Sequence, residues 1–95
     1  MDKNFILPKH TDIFDHLSKF ISSLYSYEFL KRLDIALIKP YIEDDKLVIC
    51  FYLSRPGLLI GYKGYLISLV TAYFTFLYKV DVKILVEESY NYYYE

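Results

Sequence analysis

All three glycines of the 95-residue chain fall in one run, Ser54-Arg55-Pro56-Gly57-Leu58-Leu59-Ile60-Gly61-Tyr62-Lys63-Gly64. A chain that uses glycine nowhere else uses it where the backbone must turn sharply or be approached closely. Three phosphate-binding patterns concentrate glycine in this way. A Walker loop needs four residues between its glycines and then Lys with Ser or Thr, but Gly57 and Gly61 enclose three and Lys63 falls out of place. A dinucleotide fingerprint needs G-x-G-x-x-G, and its first glycine pair is absent. What remains is G-x-x-G with an aliphatic residue before it and a helix after it, which Ile60-Gly61-Tyr62-Lys63-Gly64 satisfies. A plain connection between two helices is the structural alternative, although no purely structural reason requires both glycines.

The flanking sequence places this run in an α+β chain. Residues 1–10 read as a loose lead-in ended by Pro8. Thr11 or Asp12 caps a helix on which Ile13, Phe14, Leu17, Phe20, Ile21 and Leu24 recur at helical spacing. Ser22, Ser23 and Ser26 weaken it, so a break is expected before Tyr27. Residues 35–42 read as a strand that Pro40 demotes to an edge. After the polar turn 43–46, residues 47–53 are almost continuously apolar, as for a central strand. The glycine run leads into a helix over 64–78, and an alternating strand over 80–87 follows. The order is helix, strand, strand, short helix, turn, long helix, strand, in a single domain over 11–88 with a tyrosine-rich tail at 89–95.

The segment Arg55-Pro56-Gly57-Leu58-Leu59-Ile60-Gly61-Tyr62-Lys63-Gly64, with Ile67 three positions on, closely resembles the KH domain of the small-subunit ribosomal protein number three family. The apolar strand before it and Val82-Lys83-Ile84-Leu85-Val86-Glu87-Glu88 after it extend the likeness to about residues 27–88. The resemblance implies a type II KH domain, α-β-β-α-α-β, with a three-stranded mixed sheet and helices packed on one face. It also implies a ligand, single-stranded RNA with DNA as a second possibility, clamped over about four nucleotides by the loop. Gly61 and Gly64 let a sugar-phosphate backbone pass against the turn, helix-start amides favour anionic oxygens, and Lys63 adds a point charge. Bases would lie in a groove lined by Ile60 and Ile67, completed by Leu58, Leu59 and strand residues near Ile84. Arg55 meets a phosphate, caps a helix or pairs with an acid. Tyr62, where the family commonly has a basic or small residue, stacks on a base, blocks the groove or faces a protein partner.

Net charge is −1, but no acidic residue occurs between Lys46 and Val80, where Lys46, Arg55, Lys63 and Lys79 lie. A binding surface answers to local potential more than to the total, which points to cationic contacts among Arg55, Lys63 and Lys79. No enzyme constellation survives. His10 and His16 are six apart rather than at the i, i+4 spacing of a helical metal pair, and Glu43-Asp44-Asp45 sits in a turn. Cys50 is the only cysteine, so no disulfide framework or multi-thiolate site is expected, and it reads as a buried, inert thiol. No metal, cofactor or catalysis is expected. The N-terminus lacks a secretory pattern, and the longest uncharged stretch, 64–78, falls short of the roughly 20 residues a membrane span needs. The expectation is an intracellular protein with no membrane partner.

Twelve tyrosines and seven phenylalanines are more than so small a core can hold, so some must form a contact surface. On helix 64–78, Ile67, Val70, Phe74 and Leu77 share the face expected on the sheet. Tyr65, Leu66, Leu69, Tyr73 and Phe76 form an adjoining face, and only Ser68, Thr71 and Thr75 are polar. Roughly 240° of the helix is then apolar, against the ~100° needed to pack on its own domain. The second face predicts a homodimer or another protein partner, unless the first helix or the 90–94 tail covers it. A KH fold turned protein-interaction module, with little nucleic-acid binding, is accordingly the second reading.

Overall fold

The computed structural model describes residues 4–90. Helix α1, His10–Leu24, buries Ile13, Leu17 and Ile21 at a constant spacing of four, one stripe facing the core. It starts earlier than predicted: Lys9 is the N-cap, and Asp12 lies in the first turn, where its charge suits the helix dipole. The chain breaks at Ser26 as the serine cluster suggested. Ser26 Oγ accepts the Phe29 N–H at 3.2 Å and starts α2, Tyr27–Leu33. Asp34, in the left-handed region at φ 48°, ends α2 and turns the chain into the sheet.

Strand β1, Ile35–Glu43, runs antiparallel to β2, Lys46–Leu53. Asp44 and Asp45 join them with φ of 51° and 62°, the two left-handed residues of a tight hairpin turn. Strand β3, Val82–Glu88, pairs parallel to β2, so the order is β1-β2-β3 with β2 central and the sheet mixed. Pro40 lies in the edge strand β1, where its missing N–H is tolerated. Two parallel strands require a crossover. Here it consists of α3, Pro56–Ile60, a single 3-10 turn, Tyr62–Gly64, and α4, Tyr65–Tyr78.

Alternate residues of β2, Leu47, Ile49, Phe51 and Leu53, join Ile13, Leu17 and Ile21 of α1, Leu33 of α2, Leu59 of α3 and Leu66, Val70 and Phe74 of α4 in one apolar cluster. The helices therefore bury their stripes together on one face of β2. Val48 and Cys50 point the other way and are buried outside that cluster. Phe5, inside the segment read as a loose lead-in, packs against the core. The seam between α1 and α4 is aromatic: Phe20 stacks on Tyr73 at 4.5 Å, and His16 meets Tyr78 edge-on at 6.3 Å. Burial in this seam pushes the Tyr78 phenol above its ordinary pKa, with Asp12 and Tyr73 adding to the rise. Among the described residues no helix is long and apolar enough to cross a membrane.

Candidate nucleic-acid interface

The loop at 61–64 is held by backbone bonds at both ends. The Gly61 N–H donates to the Gly57 carbonyl at 2.9 Å and closes α3, and the Gly64 N–H donates to the Gly61 carbonyl at 3.1 Å. Gly61 has φ 77° and ψ 177°, a conformation open almost only to glycine. A Cβ there would also stand 2.8 Å from Leu66 Cβ and 3.0 Å from Leu66 N. Gly64, at φ 75° and ψ 14°, is left-handed, but a Cβ there would meet only Ile67 Cγ2, at an ordinary contact distance of 3.9 Å. Both glycines thus have a structural reason, which corrects the expectation that none would account for the pair. Gly61 brings α3 against the first turn of α4, and Gly64 turns the chain into α4. Ligand chemistry at this loop has to be sought in the side chains it carries.

Those side chains are unusually exposed. Lys63 adopts the left-handed region at φ 52° and lies at the surface, its Nζ 5.4 Å from the centre of the Tyr62 ring. Tyr62 is 81 % exposed, Tyr65 65 % and Ile60 38 %, and none of the three belongs to the buried core. Leu58 and Ile67 are half-buried at the core's margin, as are Ile84 and Val86 on β3, and both α3 and α4 contact β3. Leu59, expected to help line the groove, is fully buried in the core. Arg55 occupies the N-cap position of α3 without a side-chain cap bond and is exposed.

The predicted cations do not share one end of the molecule. Arg55 lies two residues past the end of β2, whereas Lys46 begins β2 and Lys79 caps α4 beside the start of β3, whose Val82 pairs with Leu47. The end that holds Arg55 also receives the end of α2, with Lys31 and Arg32, because Ile35 pairs with Leu53. Sequence reasoning missed those two, although the hairpin register implies them. Three acids come to the same end: Glu87 and Glu88 pair with Tyr52 and Leu53, and Asp34 accepts the Ser54 hydroxyl at 2.6 Å.

The predicted second face of α4 divides on inspection. Leu66 is 2 % exposed and belongs to the core, and Tyr73 is half-buried under Phe20 of α1, so neither is free for a partner. Helix rotation explains this: α4 buries Leu66, Val70 and Phe74, a stripe shifted toward α1 from the one expected through Ile67. Phe76 is 83 % exposed, Tyr65 points outward with it, and Leu69 is half-buried between them. The tyrosines at 92–94, offered as an alternative cover, lie outside the described residues. A separate cleft of about 400 Å³ opens between the start of α1 and β1, lined by His10, Thr11, Phe14, Asp15 and residues 35–38, and none of the loop residues takes part in it. Comparison with protein-family models and with curated proteins finds no match to this chain.

Proposed function

We propose that the chain is a type II KH-like module that binds single-stranded nucleic acid, RNA ahead of DNA, at the 61–64 loop. The observation that carries the reading is the exposed quartet Ile60, Tyr62, Lys63 and Tyr65 around a double-glycine turn, set in the crossover between the parallel strands β2 and β3. The observed order is α-α-β-β-α-α-β, one helix more at the start than α-β-β-α-α-β; with α1 as an added N-terminal helix, that order and the mixed sheet are compatible with that domain type, and the preference for RNA rests on the resemblance of the 55–64 motif. In this reading the sugar-phosphate backbone runs across Gly64, Lys63 and Arg55 hold phosphates, and unpaired bases settle toward Ile60, Leu58 and Ile67. Only unpaired bases reach such a groove, so duplex is excluded. The module works by binding inside the cell, with no cofactor and no catalytic step.

The test replaces Tyr62 and Lys63 together with Asp, which keeps both glycines and sets two anions in the phosphate path. Both residues are exposed, so the fold is expected to stand while affinity for a short unpaired RNA falls more than about tenfold. A folded double variant that binds as well as the wild type excludes the loop as the site. A second reading has its own observation: Phe76, Leu69 and Tyr65 on the outward side of α4 suit a homodimer or another protein partner.

A further inference from the structure

We infer that Tyr62 is a base-stacking platform, so that the loop holds a nucleotide by its base as well as by its phosphate; this rests on the nucleic-acid reading of the loop. Three observations converge on it. The backbone that bears the ring is fixed, because the Gly61 and Gly64 N–H groups bond within the turn on either side of it. The ring is 81 % exposed and is no part of the buried core. A cation lies over it, Lys63 Nζ at 5.4 Å from the ring centre.

That last contact selects the ligand's chemistry. Whatever covers the Tyr62 ring must also accommodate an ammonium at its margin. A purely apolar protein surface would strip that ammonium of water without compensation, and a cationic ligand would be repelled by it. A nucleotide meets both demands, with a flat π-face for the ring and an anionic phosphodiester for Lys63. Tyr65, three residues on at the start of α4 and 65 % exposed, offers a second ring for a neighbouring base. Stacking tolerates any base, so this loop is expected to discriminate weakly between sequences and to weaken sharply on a strand without bases.

The experiment compares wild type, Tyr62→Ala, Tyr62→Phe and Lys63→Ala on two probes, a ten-nucleotide oligo-U and an abasic oligomer of equal length, with circular dichroism as the check on folding. Base stacking predicts that Tyr62→Ala loses about tenfold on oligo-U, that Tyr62→Phe keeps wild-type affinity, and that wild type and Tyr62→Ala bind the abasic strand equally weakly. Lys63→Ala is expected to weaken both probes. Wild-type affinity for oligo-U in Tyr62→Ala, with Lys63→Ala still impaired, overturns the stacking role and leaves the loop as a phosphate clamp. An equal loss by Tyr62→Ala on both probes also overturns it, since the ring would then act on the backbone. No binding of either probe by wild type removes the nucleic-acid reading itself. A change in solution mass on Tyr62→Ala, with no dependence on bases, gives the ring to a protein interface instead.

Discussion

Gly61 and Gly64 look equivalent in a motif, yet they are held by different forces. At Gly61 a side chain meets an unfavourable backbone conformation and the Leu66 backbone at once, and Leu66 cannot retreat because it is itself core. At Gly64 only the left-handed φ resists a side chain, since the nearest atom a Cβ would meet, Ile67 Cγ2, is at an ordinary 3.9 Å. Gly61→Ala is therefore expected to destabilise by about 3 kcal/mol or more, combining strain of ~1–3 kcal/mol with the clash. Gly64→Ala should cost about 1 kcal/mol, and Gly64→Asn less, because Asn tolerates that region. Urea denaturation of the three variants measures this, and equal midpoints for the two alanine variants would contradict the geometry. The motif showed that the backbone is special at 61 and 64. It did not show why, because the Leu66 contact depends on how closely α3 and α4 pack, a pairwise distance that no spacing along the chain encodes.

At the scale of elements, legibility follows how unequal the two sides of an element are. Strand β2 was readable because its residues are apolar in succession, and only a central strand buries both faces. The break between α1 and α2 was readable from its serines, one of which caps the second helix. Helix α4 carries no charge to fix its rotation, and periodicity placed Val70 and Phe74 in the core and Ile67 and Leu77 against it, but put the buried Leu66 on the outer face. The outward side of α4 carries exposed Tyr65, Ser68, Ala72 and Phe76 with half-buried Leu69, and within it Tyr65, Leu69, Ala72 and Phe76 are spaced four, three and four apart, the spacing of a helix-pairing seam. Tyr65 and Phe76 together expose roughly 300 Å², under half of the ~800 Å² per partner that a stable interface buries. Association through this seam alone is thus weak. Sedimentation of the wild type is expected to show mass rising with concentration from about 10 µM upward, and Leu69→Glu with Phe76→Glu should abolish the rise. A wild type that stays monomeric throughout, or a double variant that associates equally, removes the seam as a self-contact. Tyr73 is left alone in this test because its stack on Phe20 is part of the fold.

At the scale of the whole molecule, the parallel crossover decides which charges act together. Strand β2 has eight residues, a length of roughly 25 Å, and α4 has fourteen, roughly 21 Å. Lys46 and Lys79 thus sit more than two Debye lengths, each ~8 Å at physiological salt, from the loop at the far end. The cations of an acid-free stretch of sequence have been folded to two separated ends, each of which also carries acids: Glu43, Asp44, Asp45 and Asp81 beside Lys46 and Lys79, and Asp34, Glu87 and Glu88 at the loop end. Of the three cations expected to act together, only Arg55 and Lys63 flank the loop. Two phosphate contacts on a single strand give a log–log salt slope near −1.4, at ~0.7 per contact. Lys63→Gln should flatten the slope by about 0.7, and Lys79→Gln should leave both slope and affinity unchanged. Titrations of an unpaired oligomer across a range of salt read these slopes directly. A wild-type slope steeper than about −3, or a flattening on Lys79→Gln, would mean that the strand continues along α4 to the far end of the sheet and that the loop is only its point of entry.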